Sequence, residues 1–72
     1  MRALQYAIVI EQARENYSAY APDLPGCITT GATPEETETN MREAIAVQID
    51  ALREQGQPVP APTTRVGYVS AA

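Results

Sequence analysis

The segment from Thr33 to Gln55 restricts the possible folds most, because it carries both a start signal and a stop signal for one helix. Thr33 can cap the helix with its hydroxyl, Pro34 suits the first helical position, and Glu36 completes a capping box. Gly56 and the prolines after it end the pattern. We predict a helix from about Pro34 to Gln55. Its apolar face is formed by Met41, Ala44, Ile45, Ile49 and Leu52.

Short segments typical of β-strands lie on both sides of this helix. The first alternates apolar and mixed positions with period two, and the Pro25-Gly26 pair predicts a tight turn between the second and the third. A proline-rich, extended stretch separates the helix from the last segment. The order β-β-β-α-β predicts one α+β domain over residues 1–72, with an antiparallel-type sheet and the helix packed on one face. The strands are predicted at residues 4–10, 17–21, 27–30 and 65–69.

The core of such a domain must be thin. The chain has 72 residues, no Trp, no Phe and only four Tyr. Domains of this size often depend on a disulfide, a metal ion or self-association. The single cysteine, Cys27, cannot close an internal disulfide, and no histidine is present to complete a familiar zinc set. We therefore expect a homo-oligomer.

The formal charge of −4 bears on which kinds of molecule this chain can bind. Nucleic acids attract clustered cations, so we do not expect this chain to bind DNA directly. An acidic surface suits a basic protein partner, although the same charge would also serve only to keep a small protein soluble. The sequence shows no signal peptide and no apolar run long enough to span a membrane, and we predict a cytoplasmic protein.

The residues that most catalytic mechanisms require are missing. Without His or Lys there is no Ser-His pair, no Cys-His pair and no Schiff-base lysine. Cys27 has no nearby cation in the sequence and is predicted to be a small buried side chain. The helix cap accounts for the glutamates at 35, 36 and 38, which would otherwise be candidate metal ligands. We predict no catalytic residue, no metal and no cofactor.

Two positions are candidates for a protein-binding surface. Asp23 lies in a turn between two prolines, where its carboxylate can bind the backbone amides that follow or contact a partner. Tyr17 and Tyr20 lie on opposite faces of the second predicted strand, so at most one belongs to the core. The other is either an ordinary surface residue or an aromatic anchor of an interface.

Several of these segments together resemble the HicB-like antitoxins. They are YSAYAPDLPGC (residues 17–27), TGATPEE (residues 30–36) and NMREAI (residues 40–45), followed by the proline-rich exit. The pattern Y-x-A-x-x-P-D-L-P-G-C followed by G-x-T-x-E-E is more specific than any single motif. The resemblance extends from about Tyr6 to Val69, which is nearly the whole chain.

This resemblance implies a partial ribonuclease H-like fold and a role as an antitoxin. The expected partner is a small basic HicA-like toxin that cleaves mRNA, and relatives commonly form dimers or tetramers. Many members carry a DNA-binding segment after this domain, and this chain stops at Ala72, so we expect no operon repression by this chain alone. The residues predicted to contact the partner are Tyr20, Asp23, Leu24, Pro25, Gly26, Glu35, Glu38 and Arg42.

Two other functions remain open at this stage. One is a stand-alone regulatory or small-molecule-binding module without a toxin partner. The other is a divergent nuclease, but a metal-dependent nuclease needs a carboxylate within its first strand, and residues 4–10 contain none.

Overall fold

The computed structural model describes residues 4–72 and contains three strands followed by one helix. These are β1 (Val9–Gln12), β2 (Tyr17–Tyr20), β3 (Ile28–Gly31) and α1 (Pro34–Glu54). The strands form an antiparallel sheet in the order β1-β2-β3, and α1 packs on one face of it, mainly over β3 and β2. The predicted α+β class and the position of the helix are confirmed. Within residues 4–72, no helix has the length and apolar character needed to cross a membrane.

The first hairpin is displaced along the sequence from its predicted position. β1 begins at Val9 opposite Tyr20 and continues to Gln12, and the Ala13 N–H donates to the Asn16 carbonyl to close the turn (2.8 Å). In this register Ala7 would lie opposite Pro22, which has no N–H to donate to a ladder. The pairing therefore stops at Val9, whereas the apolar alternation begins at residue 4.

The link between β2 and β3 consists of two consecutive turns. The Leu24 N–H donates to the Ala21 carbonyl, and the Cys27 N–H donates to the Leu24 carbonyl (both 3.1 Å). Gly26 has a φ of 80°, as the third position of a type II turn requires, so the predicted Pro25-Gly26 turn is confirmed. The Leu24 side chain points inward from this link and is only 1% exposed.

Both ends of α1 are capped by local hydrogen bonds. At the start, the Glu36 N–H donates to Thr33 Oγ1 (3.0 Å), and the Glu36 carboxylate accepts from the Ala32 N–H (2.6 Å). The return bond of the predicted capping box thus reaches one residue further back than Thr33 itself. At the end, the N–H groups of Gly56 and Gln57 bind carbonyls of the last turn in a Schellman arrangement, with Gly56 at a φ of 69°.

The core is as thin as the composition predicts. Its apolar centre is formed by the side chains of β2, the turn that follows it and the middle of α1. Partly buried side chains of the segment before β1 and of α1 pack around this centre. The buried residues are Ala19, Ala21, Leu24, Cys27 and Met41, and those packed against them are Tyr6, Ile8, Ala44 and Ile45.

The predicted fourth strand at residues 65–69 is wrong. Residues 57–72, which we call the exit segment, contain no strand in the described structure. Val66, Tyr68 and Val69 are 59%, 93% and 95% exposed. Alternation indicates a strand only where a neighbouring edge binds the backbone groups, and no strand of residues 4–72 pairs with this segment.

The start of α1 lies directly against the end of β3. A Cβ atom added to Gly31 would lie 2.5 Å from Thr37 Oγ1 and 2.7 Å from the Thr37 backbone nitrogen. Thr37 is completely buried, and its hydroxyl donates to the Thr33 carbonyl (2.7 Å). Position 31 therefore requires glycine for lack of space.

We predict that Gly31→Ala destabilises the protein by about 1–3 kcal/mol, the usual cost of forcing extra atoms into a packed site. Urea denaturation of the full chain measures this difference. Gly67→Ala is the matched control, because its added Cβ meets nothing within 4 Å. Equal midpoints for the two variants would contradict the proposed steric role of Gly31.

Candidate functional site

Asp23 binds a part of the chain 40 residues away. Its Oδ2 atom accepts from the backbone N–H groups of Thr63 (3.0 Å) and Thr64 (2.9 Å). Its Oδ1 atom accepts from the hydroxyls of the same two threonines, at 3.1 and 2.8 Å. One carboxylate thus receives four hydrogen bonds. We call this arrangement the Asp23 clamp.

The clamp favours the ionised form of the carboxyl group. The backbone N–H and the hydroxyl of Thr64 lower the pKa of Asp23 most. Desolvation opposes them with a smaller effect, and each bond from Thr63 lowers the pKa by less still. The ionised clamp therefore stabilises the folded chain above the ordinary pKa of 3.8. This stabilisation is lost as the pH falls through the lower pKa of the folded state.

A second contact holds the exit segment before it reaches the clamp. The Tyr6 hydroxyl donates to the Pro60 carbonyl, across 54 positions of sequence. The exit segment therefore crosses from the end of α1 to the residues before β1 and then to the turn after β2. Asp23 holds the exit segment at the turn after β2. This predicted contact residue therefore binds a distant part of its own chain, and not the backbone amides that directly follow it.

The other predicted contact residues of the turn differ in their exposure. Pro25 and Gly26 are exposed at the tip, and the Pro25 carbonyl accepts from the Gln48 side-chain amide of α1 (3.2 Å). Leu24 is a core residue and offers no side-chain surface to a partner. Only the tip of this turn is available for an interface.

The predicted helix flank is exposed over its whole length. Glu35, Glu38 and Arg42 all face solvent, and spacings of three and four residues place them on one side of α1. Glu38 and Arg42 also form the rim of an open groove between α1 and the segment that leads into β1. We call it the β1–α1 groove; its floor is formed by Tyr6, Ile8, Met41 and Ile45.

The helix flank and the turn do not lie together. Gln48 marks the level of the turn along α1, and it follows Glu35 by 13 residues. At about 1.5 Å per residue, Glu35 lies roughly 20 Å and Arg42 roughly 9 Å from that level along the helix axis. Glu38 and Arg42 line the groove on the β1 side of α1, whereas Gln48 and Gly26 line a groove on the β3 side. A partner that contacts both regions must therefore extend across the helix.

Tyr20 lies on the face of the sheet opposite the helix. It is 40% exposed, whereas its strand neighbour Ala19 is buried beneath α1, so the predicted opposite orientation of Tyr17 and Tyr20 is confirmed. The register places Val9 and Ile28 on either side of Tyr20. These three side chains form an apolar row across the open face, which the sequence did not predict because it depends on the register.

The residues considered for chemistry have structural roles. Cys27 is 3% exposed, and burial raises the pKa of its thiol, which makes the reactive thiolate harder to form. The Glu36 carboxylate is occupied by the Ala32 N–H at the start of α1. Across residues 4–72, no three His, Cys, Asp or Glu side chains are grouped as metal ligands would be.

Comparison with known proteins gives one family. Residues 6–72 match the family described as the HicB-like antitoxin of bacterial toxin–antitoxin systems. Among solved structures, a chain of the HicA3 and HicB3 toxin–antitoxin complex is similar, with a TM-score of 0.71 and 38% sequence identity. The match covers 83% of this chain and 70% of that one.

Curated relatives include proteins of a phage and of Thermoplasma acidophilum. An uncharacterised 14.9 kDa protein of the rep–hol intergenic region of Haemophilus phage HP1 is 36% identical over 55 residues. These cover 76% of this chain but only 41% of the phage protein. A UPF0150 protein of Thermoplasma acidophilum is 33% identical over 58 residues, which cover 79% of this chain and 84% of the relative.

We predict that Asp23→Asn releases Thr63 and Thr64, because the neutral amide is a weaker acceptor and offers only one oxygen to their four donors. Amide NMR shifts of both threonines, followed from pH 6 to pH 2, should titrate below pH 3.8 in the natural chain and not in the variant. Asp50→Asn removes the same charge from an exposed position on α1 and should leave the titration intact. Identical profiles for all three proteins would contradict the clamp.

Proposed function

The chain belongs to the HicB-like antitoxin family of bacterial toxin–antitoxin systems, and we propose that it binds and neutralises a small, basic, mRNA-cleaving toxin in the cytoplasm. The observation that carries this proposal is the structural match to a chain of the HicA3 and HicB3 complex at 38% identity. That complex contains a toxin and its antitoxin, and a HicA-like toxin is therefore the partner we propose here.

Charge supports a basic partner. The chain has nine acidic residues against five Arg. Glu35 and Glu38 are exposed on a rigid helix, where they can attract a cationic surface and raise the rate of encounter. A toxin that binds RNA needs such a cationic surface for the phosphate backbone. The antitoxin would thus occupy the surface that the toxin uses for its substrate.

The geometry sets the size of the interface. Stable protein–protein interfaces bury roughly 800 Å² on each partner, an area wide enough to include both the helix flank and the tip of the Pro25-Gly26 turn. We propose that the toxin lies across α1 and contacts Glu35, Glu38 and Arg42 on the β1 side and the turn on the β3 side. Tyr20 faces away from this side and would contact a toxin only if the toxin extended around the sheet edge.

We propose that neutralisation is a binding event and not a reaction catalysed by this chain. The only thiol is buried with a raised pKa, and the Glu36 carboxylate caps the start of its own helix. Binding alone is sufficient, because a toxin whose RNA-binding face is covered cannot reach its substrate. A regulatory or small-molecule-binding role without a toxin is the alternative that the following experiment distinguishes.

The test uses the full chain and the small basic protein encoded beside it. We expect the two to co-purify and the chain to restore growth when the toxin is expressed. No complex and no rescue would overturn the antitoxin proposal and favour the alternative.

Variants then locate the surface. We predict that Glu35→Gln with Glu38→Gln weakens toxin binding roughly 2- to 30-fold, the range for two exposed ion pairs. Glu11→Gln with Glu15→Gln is the matched control, because it removes two exposed charges from the first hairpin and leaves α1 and the Pro25-Gly26 turn unchanged. Titration calorimetry measures both. Equal affinities for the two double variants would exclude the helix flank while leaving the antitoxin role intact.

A further inference from the structure

The end of the exit segment exposes an unusual amount of apolar surface. We call residues 65–72 the arm. Tyr68 and Val69 are 93% and 95% exposed, which is more than any other large hydrophobic side chain of the described residues, and Val66 is 59% exposed. A chain with so thin a core gains no stability from side chains left in water. The apolar side chains of the arm therefore lack a packing partner in the isolated chain.

The arm has the sequence of a strand. In an extended conformation Val66 and Tyr68 lie on one face, and Arg65, Gly67 and Val69 lie on the other. Its backbone groups need a neighbouring strand, and none of residues 4–72 provides one. The Asp23 clamp holds the preceding residues, Thr63 and Thr64, so the arm leaves the body from a fixed point. Eight extended residues reach about 26 Å from it.

A suitable acceptor exists on the body of the molecule. β1 is an outer strand, and no part of the described chain pairs with its free edge. Because α1 lies over β3 and β2, the β1–α1 groove beside that edge stays open, and Leu4 and Ile10 are 47% and 37% exposed. The other outer strand, β3, is less accessible, since the Asn40 side-chain amide donates to the Thr30 carbonyl (2.9 Å) and ties α1 over it.

We propose that the arm adds as a strand to the free edge of β1 in a second copy of this chain, with Val66 and Tyr68 in the β1–α1 groove of that copy. The exchange is reciprocal, so a two-fold dimer buries both arms and both grooves. The self-association expected from the thin core then has a defined surface.

Charge favours a second copy as the occupant. Residues 1–64 carry nine acidic residues and four Arg, a net charge of −5, whereas the arm carries only Arg65 and has a charge of +1. The sign of the arm therefore complements the acidic body of another copy. Arg65 lies on the opposite face of the arm, where the exposed Glu11 of β1 provides an acidic neighbour. A basic toxin would find the opposite complementarity at the arm.

The experiment measures the mass and the amide exchange of the full chain without any toxin. We expect sedimentation equilibrium to give about twice the chain mass of 7.8 kDa at micromolar concentration. The amides of residues 66–69 should become protected from hydrogen exchange as the concentration rises. A chain that stays monomeric, or protection that does not depend on concentration, would overturn the proposal, because the second result means pairing within one chain.

Two double variants of the arm test which face is buried. Val66→Asp with Tyr68→Asp should weaken the dimer at least roughly 100-fold, because four apolar side chains per dimer lose their burial. Gly67→Asp with Val69→Asp adds the same charge to the opposite face and should weaken it much less. Circular dichroism of the helix should be unchanged in both variants, since the arm contributes nothing to α1. A dimer that is equally stable in both variants would overturn the proposed contact.

Discussion

The contact between Gly31 and Thr37 determines where the helix lies, and the other surfaces follow from that position. Because position 31 has no side chain, the first turn of α1 can approach the end of β3 within van der Waals distance. The Asn40–Thr30 and Gln48–Pro25 hydrogen bonds continue this attachment along the same side. The helix is thus held over β3 and β2, and one consequence is that β1 has little cover on the helix side of the sheet.

The two proposed interactions use different consequences of this arrangement. Toxin binding would depend on the exposed flank of a helix that is rigidly attached to the sheet, with an acidic surface that suits a cationic partner. Self-association would depend on the open groove beside β1 and on an apolar arm without a neighbour. Glu38 and Arg42 lie at the boundary between the two surfaces, so a toxin and a second copy would be close neighbours in a complete assembly.

The parts of the fold that the sequence predicted are those specified by neighbouring residues. Thr33, Pro34 and Glu36 define the start of α1 within four positions, Gly56 defines its end, and Pro25-Gly26 defines a turn. The candidate site was less predictable. The partners of Asp23 are 40 and 41 residues away, and the row of Val9, Tyr20 and Ile28 depends on the register. The strand predicted at residues 65–69 failed for the same reason, since a strand exists only beside a neighbour that the sequence does not identify.

The Asp23 clamp also has a mechanical consequence. Any pull on the arm, from a partner or from a further segment attached to it, reaches Thr63 and Thr64 first and is carried by one carboxylate. That carboxylate belongs to the double turn between β2 and β3, whose Leu24 is anchored in the core. Strain applied beyond residue 64 is thereby directed into the best-packed part of the domain and bypasses the end of α1. The arm can therefore bear a force, pair with a second copy or change in sequence while the sheet and the helix keep their arrangement.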